Sequence, residues 1–491
     1  MSHDHRVGVS LDRLFSGVCR SGGNGVSVTS CTSDWRRIQP GDAFVALLTA
    51  DSDGHDHADR AVKRGAVAVI AERPIPVFAV PVYHVEDTRV ALGELCHALV
   101  DNPSQRMRVI GVVGDCGQAA TIALLESIYV AAGHEVGVMS SIKSYDGMTC
   151  SEGIDDTITP AALAGRLARM EAADCTHVLL EISSQSLAQM KLAGMELDTL
   201  VTTTVDSARL DLHHTVKNYR DAQRRSLDLL SPTGMTIVNA DDAVSCGWLN
   251  QVAGPALTYG LCDQAQVSGY IVEENACETV FILGAGVDSA AMRTSIVGRQ
   301  QVSNALAAAT VALAHGIDLQ TIARGIEEVR KLPAHMERVD CGQDFPVFVD
   351  SASTAGGLRS TLRTARHLSR GRVICVMGDA VQRTPAEFDA IRSILAKMAD
   401  VTIVTDGFAP GDSSWQPETM ASTAGEPLQI AADRQEAIAW AVAMAGAGDV
   451  VVIAGSRTPA GFAFGVTATT DADVAREVLY ASSGPMLRLV G

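Results

Sequence analysis

Residues Arg108–Gly114 read RVIGVVG, a continuous apolar run. It leads through Gly114-Asp115-Cys116-Gly117-Gln118-Ala119-Ala120 into the helix-forming stretch TIALLESIYVAAG. Strand, glycine turn and helix is the layout of a phosphate-binding loop, in which backbone N–H groups and the positive end of the helix dipole gather an anion. A loop that holds a nucleoside triphosphate continues with a Lys for the β- and γ-phosphates and a Ser or Thr whose hydroxyl holds magnesium. Here Gln118 and Ala119 stand in those places, and Asp115 adds a negative charge. By itself the stretch fits a plain strand-to-helix turn equally well.

Other constellations offer less. His55 with His57, and His213 with His214, have no Cys or carboxylate partner at ligand spacing, so they are not read as metal sites. The eleven cysteines form no CxxC pair, so neither a zinc site nor a redox dithiol is expected. No nucleophile stands beside a base in a Ser-His-Asp or Cys-His pattern.

The elements that must position the loop are legible. Val/Ile-rich runs begin at Ala43, Ala66, Arg108, Thr176, Arg372, Val401 and Asp449, and they alternate with Ala-rich helical stretches. That alternation predicts an α/β fold with parallel sheets covered on both faces. NPSQRM at Asn102 reads as a linker, and a second break falls at KLPAH near Lys331. Three domains follow, at 1–107, 108–332 and 333–491. A chain of 491 residues with 47% hydrophobic residues can give each of them a full core. The net charge of −18 argues against nucleic acid and against an anionic membrane surface, because both need clustered Lys and Arg. The polar opening MSHDHRVGVSLDRL has no signal-peptide core, and no run nears the roughly 18 apolar residues of a membrane helix. A cytoplasmic protein with reduced thiols and no membrane insertion is expected.

Read along its whole length, the chain resembles the Mur ligases of bacterial peptidoglycan synthesis. It is most similar to the UDP-N-acetylmuramoyl-tripeptide synthetase (MurE) type. DWRRIQPGDAFVA from Asp34 resembles the DSRxVxPGDxFVA signature, and DGHDHADRAVKRGAVAVIAE from Asp53 resembles the pattern that follows it. The loop corresponds to GTNGKTT. TITPAAL resembles TTPEAL, and LLEISSQSL, which contains Glu181, resembles EVSSHAL. TTTVDSARLDLHHTVKNYRDAQRRSLDLL, TIVNADD, VGRQQVSNALAAATVA and FVDSASTAGGL parallel further family motifs in the right order. The resemblance implies a Mur ligase architecture: a UDP-binding type N-terminal domain, a central ATP-binding type domain on a P-loop-type parallel sheet, and a Rossmann-like C-terminal domain. Folylpolyglutamate synthetases fit less well, since they lack this kind of first domain.

The family activates a carboxylate with ATP, and an amino acid then attacks the acyl phosphate. That chemistry rests on positioning and cationic stabilisation. The resemblance implies that the family's loop Lys is Gln118 here and its magnesium-binding hydroxyl is Ala119. Its metal-ligand His falls at Arg209, with Ala208 before it, and its carbamylated Lys falls at Gln223. The adenine-contacting Asn is Gln301, the Arg before the last domain is His335, and the DYAH histidine is Ser353. The amino-acid motif reads Asp406-Gly407-Phe408-Ala409-Pro410, and GKGHE reads Gly455-Ser456-Arg457-Thr458-Pro459. A charge-assisted hydrogen bond to phosphate is worth about 1.5–3 kcal/mol. Each 1.36 kcal/mol is roughly tenfold in rate, so two or three such losses cost roughly thousands-fold.

Gly114, Gly117, Asn304 and Asp350 keep their types, as turn and cap residues or as nucleotide contacts. Glu181 is a metal ligand by resemblance, although a lone carboxylate at a strand end reads more simply as a capped residue. Ser183, Ser184 and Lys191 fall where the family holds the muropeptide. Asp34 and Arg36 belong to the UDP-contact signature, in which Trp35 replaces a Ser. The reading that follows is a MurE-like homologue without ATP-driven ligation. It would bind a UDP-muramoyl-peptide or cell-wall synthesis proteins as a binding or scaffolding protein, and need no cofactor. The alternative is an active ATP- and magnesium-dependent amide ligase that adds an amino acid to UDP-MurNAc-L-Ala-D-Glu or a related substrate. Whether the chain is an enzyme stays open between the two.

Overall fold

The computed structural model describes residues 8–22, 24–49, 51–153, 158–205, 210–378, 385–405, 429–431, 433–455 and 470–483. Besides a two-stranded antiparallel pairing of Val9–Ser10 with Ser27–Val28, three larger sheets, each with its own helices, follow one another along the described chain.

The first sheet uses β1 (Cys19–Ser21), β2 (Cys31–Thr32), β3 (Ala43–Val45), β4 (Ala68–Ala71) and β5 (Val82–His84), in the order β1-β5-β4-β3-β2. All its pairings are parallel except that of β1 with β5. Helix α1 (Thr88–Ala98) packs on it, started by Asp87, whose carboxylate accepts from the Arg89 N–H at 2.8 Å. Leu95 of α1 joins Ala43, Val45, Ala68 and Ile70 in one buried cluster.

The second sheet opens with β6 (Arg108–Val113), followed by α2 (Gln118–Ala131), β7 (Val136–Met139), β8 (Lys143–Tyr145), β9 (Cys150–Glu152), α3 (Pro160–Ala172) and β10 (His177–Ile182). It continues with α4 (Ser184–Ala188), β11 (Leu197–Thr202), α5 (Val216–Arg224), β12 (Leu230–Asn239) and β13 (Ala256–Gly260). It closes with the antiparallel β14 (Val267–Glu274), β15 (Thr279–Ala285) and β16 (Asp288–Thr294), then α6 (Arg299–Ala314) and α7 (Leu319–Glu328). The strand order is β9-β8-β7-β10-β6-β11-β12-β13-β14-β15-β16, parallel from β7 through β14. The apolar run of β6 splits by strand period: Ile110 and Val112 face one core with α2 and α6, and Val109 and Val113 face another with α3. Helix α6 is buried from Gln301 to Ala312, and its small Ala side chains allow it to lie close against the sheet.

The third sheet is built from β17 (Glu337–Val339), β18 (Val347–Asp350), β19 (Val373–Met377), β20 (Val401–Thr405), β21 (Gln429–Ala431) and β22 (Val450–Ala454), in the order β17-β18-β22-β19-β20-β21. Only β17 runs antiparallel to its neighbour. Helix α8 (Ala355–Leu368) follows β18. Among the described residues no helix is long and apolar enough to cross a membrane.

Candidate functional site

The expected loop does join β6 to α2. Gly114 sits at φ 149°, and a Cβ there would lie 2.0 Å from the Thr203 hydroxyl oxygen. Gly117 sits at φ 88° against Asn304, whose Oδ1 would lie 2.3 Å from an added Cβ. Both positions therefore need glycine, for conformation and for space. The Asp115 N–H donates to the Thr204 carbonyl at 2.7 Å, which ties the loop to the end of β11.

Two side-chain amides close the loop from within. Gln118 Nε2 donates to the Gly114 carbonyl at 2.5 Å, and Gln223 Nε2 reaches the same oxygen at 3.2 Å. Gln223, on α5, is 1% exposed; its Nε2 also donates to the Tyr219 hydroxyl at 2.6 Å, while its Oε1 has no partner among the described residues. Gln118 thus points into its own turn, where a loop lysine would extend toward phosphate.

Around this loop lies a cleft of about 240 Å³ between the second and third sheets. Helix α6 presents Gln301 and Asn304, which bond to one another through Asn304 Nδ2 and Gln301 Oε1 at 3.0 Å. Glu181, near the end of β10, accepts from the Ser141 N–H at 2.6 Å. From the third sheet comes Asp350, which accepts from the N–H groups of Met336 at 2.8 Å and Ala352 at 2.9 Å and from the Thr361 hydroxyl at 3.1 Å. Burial raises the Asp350 carboxyl above its ordinary range, against the opposing effects of His335 and these donors. His335 donates from Nδ1 to the Pro333 carbonyl at 2.8 Å, and it is held between Ala334 and Met336, both at positive φ. Non-glycine residues at such angles are strained, so the joint between the second and third sheets is fixed at a cost in backbone energy.

Among the described residues, the lining carries the carboxylates of Asp115, Glu181 and Asp350, the imidazole of His335, and no Lys or Arg. Among the described lining residues, an anionic triphosphate would meet like charge and no Lys or Arg to offset it. The resemblance places the magnesium-binding hydroxyl at Ala119, which has none. The described residues therefore do not fit a triphosphate with its metal. They do fit an uncharged, hydrogen-bonding ligand, given the amides and hydroxyls of Gln300, Gln301, Asn304, Ser353 and Thr361.

The structure brings Gly117, Gln118, Ala119, Glu181, Gln301, Asn304, Asp350 and Ser353 to this one cleft, while Gly114 opens the loop without lining it. Gln223 lies behind the loop. Ser183 caps α4 by accepting from the Ser186 N–H at 3.1 Å, and the buried Ser184 shares a hydrogen bond with His213 Nε2 at 2.9 Å. Lys191 follows α4, and its N–H donates to the Ser186 carbonyl at 3.0 Å. Asp34 and Arg36 stand apart in the first domain. Asp34 caps the turn by accepting from the Arg36 N–H at 2.9 Å. The guanidiniums of Arg36 and Arg60 each lie 5.2 Å from the Trp35 ring, whose Nε1 is buried without a partner among the described residues. Ala208, Arg209, Asp406–Pro410 and Ser456–Pro459 lie outside the described residues. The sequence reading did not single out Ser141, which carries no motif signal of its own, nor Gly298 and Gln300 as site residues within VGRQQVSNALAAATVA.

The profile of the Mur ligase family catalytic domain matches residues 27–99, that of the Mur ligase middle domain 112–312, and that of the Mur ligase glutamate ligase domain 336–457. A UDP-N-acetylmuramoyl-L-alanyl-D-glutamate–2,6-diaminopimelate ligase from Geobacillus kaustophilus is 33% identical over 446 residues, spanning 88% of this chain and 90% of the relative. The chain belongs to the Mur ligase family. A UDP-N-acetylmuramyl-tripeptide synthetase from Roseiflexus is 31% identical, with 88% and 90% covered. A solved diaminopimelate ligase of this family superposes with a TM-score of 0.67 at 23% identity, over 91% of this chain and 93% of that one, and so shares the fold. The relatives are thus of MurE type, and the three-domain α/β architecture of that type is the one seen here.

Proposed function

We propose that this chain serves peptidoglycan-precursor synthesis as a MurE-type homologue that holds a UDP-muramoyl-peptide or a cell-wall synthesis protein without driving ligation by ATP. Its working parts would be a UDP-binding type domain at 1–107, a central domain at 108–332 and a C-terminal domain at 333–491, acting in the cytoplasm. One observation carries the reading: the described lining of the cleft beside the loop has three carboxylates and no Lys or Arg, and Gln118 bonds back to the Gly114 carbonyl instead of offering a cation to phosphate.

A second reading is an active ATP-dependent ligase, and the comparisons weigh toward it. Relatives matching nearly nine-tenths of the chain are named as ligases or synthetases, and nothing in them speaks of lost activity. Glu181, Asn304 and Asp350 also keep their types at the cleft.

One experiment separates the two. Purified chain is mixed with ATP, magnesium, UDP-MurNAc-L-Ala-D-Glu and either diaminopimelate or lysine, and phosphate release and tripeptide are measured. The proposed reading expects neither above background, and no thermal shift with ATP and magnesium, where a ligand at 100 times its dissociation constant would add about 2.7 kcal/mol. Turnover of roughly 1–1000 per second would establish the ligase.

A further inference from the structure

Far from the cleft, two thiols meet inside the first domain. Cys31 lies on β2 and Cys96 on α1, with their sulfurs 3.7 Å apart. Cys96 is 4% exposed, while Cys31 is half-buried. We propose that Cys31 and Cys96 are a redox-responsive pair that closes to a disulfide under peroxide and so pins the Trp35 turn to the helix that joins the first domain to the second.

The geometry needs little change. A disulfide has its sulfurs about 2.05 Å apart, so these sulfurs, already in van der Waals contact, must approach by roughly 1.7 Å to bond. The two thiols also share a hydrogen bond. It favours the thiolate at Cys96 and, with burial, holds the Cys31 thiol protonated. The nearby Asp42 carboxylate also disfavours a Cys31 thiolate. In the reaction, the thiolate attacks one peroxide oxygen; the O–O bond breaks, leaving a sulfenic acid and a hydroxide that takes up the thiol's proton. The second sulfur, now a thiolate, attacks the sulfenic sulfur, forms the S–S bond, and expels hydroxide, which takes from solvent the proton the first thiol released on ionising and becomes the second water. Two thiols and one peroxide thus give one disulfide and two waters.

The placement gives the bond its consequence. β2 continues through Thr32, whose hydroxyl accepts from the Asp34 N–H at 3.1 Å, into the Asp34-capped turn that carries Trp35 and Arg36. At its other side, α1 packs against α3 of the second domain. At Gly93 a Cβ would lie 2.4 Å from the Ala193 carbonyl oxygen, so α1 fits there only because that residue is glycine. The thiol pair is the point where the turn and the docked helix come within bonding reach.

The test uses the full chain, reduced and then exposed to hydrogen peroxide, alkylated, and mapped under non-reducing conditions. A Cys31–Cys96 linked peptide is expected. The oxidised chain should melt several degrees higher, since the crosslink closes a long loop in the unfolded state, and dithiothreitol should reverse the shift. Cys31→Ser should abolish both effects while its unoxidised melting midpoint stays that of the parent. Because Cys96 is in the core, the decision rests on the parent chain and this half-buried variant. Alkylation of both thiols after peroxide treatment would overturn the proposal. So would a linked peptide with unchanged melting, because the bond would then pin nothing.

Discussion

Gln118 and Gln223 converge on one carbonyl, and this decides what a repair of the loop can achieve. Replacing Gln118 by Lys removes one donor from the Gly114 oxygen, but Gln223 Nε2 still serves it, so the turn keeps a satisfied carbonyl. The triple variant Asp115→Thr, Gln118→Lys, Ala119→Thr should therefore fold with nearly the parent melting midpoint. It should also gain ATP binding at about millimolar nucleotide, because the backbone cradle between β6 and α2 is already formed. Isothermal titration with ATP and magnesium reads this directly, and silence at that concentration would mean the loop cannot open around phosphate. Ligation should still be absent from the triple variant. The resemblance implies that Gln223 stands where the family has its carbamylated Lys and Ser353 where it has a histidine, and the triple variant restores neither.

At the scale of elements, the strand-to-helix junction depends on two glycines. Gly117→Ala would force a side chain into the left-handed region and against Asn304, and Gly114→Ala would meet the Thr203 hydroxyl. Each change should cost about 1–3 kcal/mol, read as a lowered denaturation midpoint at unchanged slope. A loss below about 0.5 kcal/mol would show that the turn relaxes freely. The junction itself was legible in the sequence, because a continuous Val/Ile run followed by glycines and an Ala-rich helix leaves few other folds. The same holds for β3, β4, β10, β19, β20 and β22, each of which was marked by an unbroken apolar run. The antiparallel additions β14–β16 were not legible. Val267–Glu274 and Asp288–Thr294 are mostly exposed or half-buried and mix polar and small residues, so no continuous apolar run marks them, and the run Val280–Ala285 between them is flanked by no helical stretch that would flag a parallel strand. The polar wall from the third sheet was hidden for a different reason. Thr361 and Ser360 lie inside α8 and become cleft residues only when β18 brings that helix alongside α6.

Across the whole molecule, acid should destabilise the fold earlier than its carboxylates alone would suggest. Burial lowers three imidazoles: His97 to about 4 in the first domain, and His177 to about 3 and His315 to about 4 beneath the central sheet. His177 also faces His134, His315 and Arg108, and His315 faces Arg108 and His134, so their like charges oppose protonation further. Around them, the Tyr129 hydroxyl bonds to His315 Nδ1, and the Thr199 hydroxyl bonds to His315 Nε2 at 3.0 Å. In the unfolded chain these groups titrate near 6.5. Their folded values are depressed, so the unfolded state binds more protons between the two values. Stability is then full above pH 6.5 and falls as pH drops toward 4 and 3. Asp53, lowered to about 2, loses its contribution only below about 3.8, so its window is separate. One effect opposes this. Acidification also relieves the self-repulsion of a net −18 chain. That charge is spread over 23355 Å² and screened beyond about 8 Å at physiological salt, so the buried imidazoles should win. The free energy of unfolding should therefore decline from pH 6.5 to 4.5 by up to about 1.36 kcal/mol per pH unit for each histidine. His97→Leu isolates one of them. His97 is fully buried and neither of its ring nitrogens has a partner among the described residues, so leucine removes a titrating group and an unmet polar cost together. This variant should be more stable at pH 7 by about 1–3 kcal/mol and should show a shallower decline in acid by one proton's worth. A parent chain whose stability stays flat or rises over that window would mean that charge relief dominates and the histidines are reachable by water.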